Sequence, residues 1–227
     1  MLHKTLAELI VSAKRIMYNH GAGCRPHLEA LGDAIPAPPA DAVGTRQATP
    51  QQPAVPLLAR KIETVWRYEH RQIMARLDAT LARQPYLGPD ALVALTLPIT
   101  VEQRLDGRFL GLSSHLSADA FNFSEPMMVD LKFGSPEPFH RLTTAGYALV
   151  MESLTESPIN VGCVVHIEFR EGELRFKRDF HLLSDELRQW FIEARDELAR
   201  LIDEEIDPGL ADPCYEICPY WRVCHPE

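Results

Sequence analysis

Six prolines fall between Pro36 and Pro56, in a run otherwise rich in Ala, Gln and Thr. Proline has no amide proton to donate and pushes the residue before it out of the helical region. No helix or strand is therefore expected through residues 32–56, and the chain is cut into a short amino-terminal piece and a long remainder. The short piece, residues 1–31, carries Leu6, Leu9, Ile10, Ala13, Ile16 and Met17 at helical spacing. Thr5 and Glu8 form a capping box at its start, and Gly21-Ala22-Gly23 ends it just before Cys24.

The remainder predicts a mixed α/β arrangement. Residues 57–83 read as a helix with Leu58, Ile62, Val65, Trp66, Ile73 and Leu77 on one side. Strand signals at 99–105 and 108–112 flank Asp106-Gly107, a strong two-residue hairpin turn. Residues 115–121 continue after a bend, and 127–133 form a short buried strand. A helix over 139–154, strands over 160–170 and 174–181, and a long helix capped by Ser184 complete the order. The organisation expected is 1–31, the loop 32–56, a core over 57–183 and a carboxy-terminal segment over 184–227: a mixed sheet flanked by helices.

A hydrophobic fraction of 46% with 24% charged residues fits an ordinary globular core among 227 residues. No window reaches the roughly 18 apolar residues of a membrane helix, and the first helix is amphipathic rather than a signal core. A soluble, cytoplasmic protein without a membrane partner is the expectation. The net charge of −9 argues against a general nucleic-acid coat. It leaves room for a nuclease, whose binding depends on local fields. The helix over 57–83 carries such a local excess: Arg60, Lys61, Arg67, Arg71, Arg76 and Arg83 against Glu63, Glu69 and Asp78. That face reads either as a solvated surface or, with Arg67 and Arg71 at its centre, as a track for a nucleic-acid backbone.

The segment carrying the most chemistry runs from Asp119 to Asp130-Leu131-Lys132. On a strand, residues two apart share a face, so Asp130 and Lys132 point together and Leu131 points into the opposite layer. Asp119, on the preceding strand, reaches the same face across the turn near Ser124-Glu125-Pro126. Two carboxylates and a backbone carbonyl, that of Leu131, suit a hard cation such as Mg²⁺ or Mn²⁺. Lys132 beside that cation could position water or neutralise charge on a phosphoryl transition state. A surface ion pair explains the same Asp-x-Lys. Met127, Met128 and Val129 weigh against it, because they bury the approach to Asp130, and buried carboxylates are costly unless paired or metal-bound. One turn apart on the next helix, Thr143 and Tyr147 follow. Tyr147 reads as a ligand-orienting group or as a core tyrosine.

Five cysteines are present, three of them in the last fourteen residues as Cys214-x3-Cys218-x5-Cys224. In a cytosolic protein such a cluster suggests a metal site rather than disulfides. Three thiolates leave a four-coordinate site open, and Cys24 is the first candidate for the fourth ligand, ahead of His225. Four thiolates suit zinc or an iron–sulfur cluster. Cys163, within Val161-Gly162-Cys163-Val164-Val165, reads as a buried structural thiol.

Taken together these residues resemble the RecB-like nucleases of CRISPR adaptation, the fourth Cas family in its Csa-type branch, within the PD-(D/E)xK superfamily. Residues 111–163 carry the core match. Asp119 matches the first metal carboxylate and Asp130-Leu131-Lys132 the D/E-x-K motif. Thr144-Ala145-Gly146-Tyr147-Ala148-Leu149 with Glu152 resembles the helix that follows, and Cys24, Cys214, Cys218 and Cys224 match the cluster cysteines. The resemblance implies a restriction-endonuclease-like fold and a 4Fe–4S cluster joining the two ends of the chain. It also implies a metal-dependent exonuclease that trims single-stranded overhangs of spacer precursors before the integrase, Cas-one with Cas-two, inserts them. Three features depart from the family pattern. Thr143 stands where glutamine is usual, and the first carboxy-terminal cysteine gap is three residues rather than two. No clear counterpart exists for the upstream histidine, for which Glu63, His70 and His115 are the stand-ins. A non-catalytic DNA-binding subunit and a zinc-stapled interaction protein are the competing functional classes.

Overall fold

A computed structural model describes residues 2–37, 55–134, 136–170, 173–210, 218 and 220–225. The amino-terminal region forms helix α1 (Leu2–His20), a 3₁₀ turn (Gly21–Gly23), α2 (Arg25–Asp33), α3 (Val55–Arg83) and α4 (Pro89–Thr96). Then come β1 (Ile99–Leu105), β2 (Leu116–Asn122), β3 (Met127–Phe133), α5 (His140–Thr155), β4 (Val161–Arg170), β5 (Glu173–Leu182), α6 (Asp185–Asp203) and the single turn α7 (Trp221–Cys224). The five strands form one sheet in sequence order, antiparallel except where α5 crosses over and makes β3 and β4 parallel. The helices from 57, 139 and 184 and five of the six expected strands thus lie close to where the sequence puts them, the strand over 108–112 being the exception. Most of the proline-rich loop falls outside the described residues.

Helices α1 and α3 lie on one face of the sheet with α2 and α4 packed against them, and α5 lies on the other with α6 packed against it. On the first side Leu9, Ala13, Met17, Trp66, Ile73, Leu77 and Leu92 pack into a core among the helices themselves. Leu6, Ile62 and Val65 then reach down onto Ala120, Val129, Cys163, Val165 and Ile167 of the sheet. Each such side chain, fully removed from water, contributes about 1.5–3 kcal/mol. On the second side Ala145, Ala148, Val150 and Met151 of α5 pack on Leu105, Ala118, Phe121 and Met128. Two glycines permit that layer to close. A Cβ on Gly162 would lie 2.8 Å from the Thr144 hydroxyl, and one on Gly146 would lie 2.4 Å from the Phe191 ring of α6.

Three sequence expectations change. The Asp106-Gly107 hairpin is absent: Arg108–Leu110 is a 3₁₀ turn, and β1 pairs instead with β2, Leu105 opposite Leu116. A two-residue hairpin of this kind needs φ above zero at Gly107, which sits at −89°. The Asp106 carboxylate is also drawn into accepting from the Arg108 backbone N–H and guanidinium. Helices α2 and α4 are additional to the expected elements. Both open with proline in the first turn, where the missing amide proton is not needed.

Candidate active site

Strands β2 and β3 pair only from Asn122 opposite Met127 to Ala120 opposite Val129, whereas β3 stays paired with β4 through Phe133. Beyond Ala120 the two strands part. There the Asp119 carboxylate takes over the role of the missing strand carbonyl: its Oδ2 accepts the Leu131 N–H at 2.8 Å. The side chain of Asp119 and the backbone of Leu131 are thereby fixed to one another.

Asp130 points to the α5 side and is 3% exposed. The Lys132 ammonium lies 2.9 Å from Oδ2 and 3.2 Å from Oδ1. Only the longer approach has hydrogen-bond geometry, and Oδ2 is left without a hydrogen-bond donor. Burial pushes the carboxyl of Asp130 up to about 6, against the pull of Lys132 and with a further push from Asp119. A desolvated carboxylate with a second carboxylate beside it and a lone pair unused is a site short of positive charge. The donors are two carboxylates and a carbonyl, all oxygen. That set fits a hard divalent cation held by Asp119, Asp130 and the Leu131 carbonyl.

Tyr147 projects from α5 toward the same carboxylates. Its hydroxyl is pushed up first by burial and then by the fields of Asp119, Asp130 and Glu102. Thr143, one turn earlier, lines with Tyr147, Phe139, Phe191 and Leu198 an apolar groove of about 640 Å³. Glu102 was not foreseen. It lies between the pairs Val101–Ala120 and Gln103–Ala118, hence across from Asp119, and accepts from the Ser117 hydroxyl at 3.1 Å. Its φ of 49° is left-handed backbone, strained for a glutamate. The mistaken partner for β1 hid this neighbour.

Two histidines flank Lys132. His166 of β4 stands directly opposite it in the parallel register and is 1% exposed, with Nδ1 unpartnered. His140, in the first turn of α5, lies 5.3 Å from the His166 ring and accepts the Glu137 N–H at Nδ1. Burial lowers both imidazoles, and the Lys132 charge lowers His140 further. The sequence signal for His166 was a lone polar residue in the apolar run Val164-Val165-His166-Ile167.

Other candidates stand apart from this centre. His70 donates to the Leu28 carbonyl at 2.7 Å inside the helical region, Glu63 pairs with Arg67 at 3.0 Å, and His115 is exposed before β2 against the Ser114 hydroxyl. Arg67 and Arg71 are exposed on α3, on the helical side of the sheet away from Asp130. Glu152 ties α5 to α6 through Arg188 at 2.6 Å. Cys163 is buried, its thiol pushed up to about 11 by desolvation. Cys24 is fully buried just before α2, and burial raises its thiol as well. Cys218 is half-buried, Cys224 is exposed, and Cys214 lies outside the described residues. Among the described residues no three His, Cys, Asp or Glu side chains come together as a metal-holding group. With Cys214 outside the described residues, no iron–sulfur module is evident among them.

Fold and site together define a mixed α/β protein with a two-carboxylate and lysine centre where two strands part. Comparison gives the particular family: the model of the CRISPR-associated exonuclease Csa1 family matches residues 2–227, and the chain belongs to that family. It is 34% identical over 164 residues to the CRISPR-associated exonuclease Csa1 of Saccharolobus solfataricus, covering 72% of this chain and 56% of that protein. To the CRISPR-associated exonuclease Csa1 of Thermoproteus tenax it is 32% identical over 167 residues, covering 74% of this chain and 58% of that one. The chain thus spans just over half the length of these relatives. Among the described residues, no helix is long and apolar enough to cross a membrane.

Proposed function

We propose that this chain is a metal-dependent exonuclease of the PD-(D/E)xK type that hydrolyses single-stranded DNA overhangs on CRISPR spacer precursors. The observation that carries the proposal is the buried Asp130 carboxylate, whose Oδ2 accepts no hydrogen bond, beside Asp119 and Lys132. The names of the relatives support a CRISPR-linked exonuclease. A divalent cation bound there supplies Lewis-acid activation of phosphate and water. Asp119 and Asp130 bind it with the Leu131 carbonyl. Lys132 keeps a positive charge beside the reacting phosphoryl group and offsets the charge that develops on its oxygens. Tyr147, close to both carboxylates, orients the strand that enters from the apolar groove. The basic face of α3 with Arg67 and Arg71 tracks the backbone further out, and the integrase, Cas-one with Cas-two, receives the product in the cytoplasm.

The test is cleavage of an end-labelled single strand in Mn²⁺, with EDTA as control. Lys132→Ala is expected to slow cleavage about 100-fold, roughly 3 kcal/mol by analogy with a lost electrostatic donor, in protein that stays folded but melts lower at neutral pH because buried Asp130 loses its ion-pair partner. Near-normal cleavage by this variant at saturating metal removes Lys132 from the chemistry. Strand binding by the unaltered protein without cleavage makes it a non-catalytic subunit.

The second element of the proposal is a 4Fe–4S cluster on Cys24, Cys214, Cys218 and Cys224, supported by the soft donor chemistry of those thiolates. No catalytic step runs through it. Anaerobically purified protein is expected to be brown and to contain iron, and Cys24→Ala is expected to lose both colour and iron while Cys163→Ala keeps them. One zinc and no iron contradicts the assignment.

A further inference from the structure

The α5-side face of the sheet carries a row that starts at Lys132 and runs on beyond the cation centre. Lys132 of β3 stands opposite His166 of β4, and His166 stands opposite Lys177 of the edge strand β5. The three side chains share one face, at a spacing of ~4.8 Å per strand, so the row is about 10 Å long. Beside it lies a cavity of about 500 Å³ lined by His166, Arg141, Lys177, Arg178, Glu137 and Asp179, with the Pro136 and Pro138 turn at its rim.

His166 is the feature that ordinary packing leaves unexplained. It is 1% exposed, lines the cavity, and its Nδ1 has no hydrogen-bond partner. A buried polar atom left unsatisfied costs about 1–3 kcal/mol, so an unpartnered ring nitrogen on a residue that lines a polar cavity marks a place for a ligand. Burial, helped by His140 and Lys177 against Asp179 and Glu168, lowers its pKa. In the tautomer with its proton on Nδ1, the ring is a hydrogen-bond donor at the cavity wall.

The charges around the cavity are sorted in a way that suits an anion. The Asp179 carboxylate is held by Arg141 through two bonds of 2.8 Å, and Glu168 is paired with Arg170 at 3.2 Å. Lys177 is exposed and has no ion pair among the described residues. Glu137 is the remaining carboxylate of the lining. The helix start contributes little by itself: the N–H groups of His140, Arg141 and Leu142 already bond to the carbonyls of Glu137, Pro138 and Phe139. The cavity therefore offers a donor and a free ammonium in line with Lys132, the residue proposed to sit beside the reacting phosphate.

We propose that the His166–Lys177 cavity is a phosphodiester subsite, holding a backbone phosphate of the DNA strand beyond the one at Lys132. This deepens the nuclease reading and rests on it for the position of the scissile phosphate. The strand leaves the Asp119–Asp130 centre across β4 toward the β5 edge, with His166 donating to a phosphate oxygen and Lys177 neutralising its charge.

The test measures binding rather than cleavage: anisotropy of a labelled oligothymidylate against the full chain in EDTA, over a series of salt concentrations. Lys177→Ala is expected to weaken binding about fivefold at low salt. It should also lower the magnitude of the salt slope by about 0.7, the value for one phosphate contact on a single strand. Lys177→Arg is expected to restore that slope. His166→Gln is expected to weaken binding a few-fold with the slope unchanged, because the lost group is neutral. Should His166→Gln not melt cooperatively, the two Lys177 variants decide alone. Unaltered affinity and slope in Lys177→Ala overturn the subsite. So does inorganic phosphate that protects the unaltered protein, but not Lys177→Ala, from thermal unfolding while oligonucleotide binding is the same in both. That result assigns the cavity to a free anion. Strand binding with these sensitivities but without Mn²⁺-dependent cleavage keeps the subsite and removes the nuclease reading.

Discussion

The two faces of the sheet are built from the same strands and do opposite work. Toward α1 and α3 the strands present Ala120, Val129, Cys163, Val165 and Ile167 to Leu6, Ile62 and Val65. Toward α5 the neighbouring positions are Asp130, Lys132, His166 and, on β5, Asp179 and His181. Alternation along β3 and β4 makes this possible, because each residue step exchanges one layer for the other. The first face removes apolar surface from water and stabilises the fold. The second holds a desolvated carboxylate, one oxygen of which accepts no hydrogen bond, and a buried imidazole nitrogen without a hydrogen-bond partner, which cost stability. Stability contributed on one side lets a strained, charge-poor site exist on the other.

The largest effect is expected on the apolar side. Ile62 is 1% exposed, and Ile62→Ala is expected to cost about 2–5 kcal/mol through lost contact and the cavity left behind. Denaturant unfolding measures that loss. Cleavage assayed well below the melting temperature should be unchanged, and an equal loss of activity would mean that the two faces are not separable.

A substitution at Asp130, on the other face, acts with the opposite sign. The folded-state pKa of Asp130 is raised to about 6 from an ordinary 3.8, so the native chain binds the proton more tightly than the unfolded chain does. Ionising this carboxylate therefore destabilises the fold. The cost is absent below about pH 4, grows between the two values and is complete above about 6, where it reaches the order of 3 kcal/mol. In metal-free buffer Asp130→Asn is expected to melt higher than the unaltered protein at pH 8, with the gain vanishing by pH 4. A gain of equal size at both pH values contradicts burial of the charge as its cause.

Much of this division was legible from the residues. The parity of Asp130 and Lys132 within Met127–Phe133 placed the two side chains on one face, and apolar neighbours signalled that the strand is buried. Cys163 declared itself by the apolar run around it. What the residues did not disclose were contacts set by pairing over long sequence distances. The Lys132–His166 register depends on how α5 lays β4 beside β3, and no local spacing encodes it. Glu102 stayed hidden because Asp106-Gly107 mimics a tight hairpin, whereas the backbone at Gly107 and the Asp106–Arg108 interaction turn the chain into a wider loop. The helices α2 and α4 are short, and their proline starts resemble loop punctuation when read one residue at a time.

In the proposed site Asp119 and Asp130 hold one cation where β2 and β3 part. Its most direct test is Mn²⁺ binding to the purified chain, followed by electron paramagnetic resonance at a pH above 7, where Asp130 is ionised. The unaltered protein is expected to bind Mn²⁺, with Asp119→Asn and Asp130→Asn each weakening that binding at least tenfold while Glu63→Gln, on the far side of the sheet, leaves it unchanged. Equal Mn²⁺ affinity in all four proteins would contradict the account.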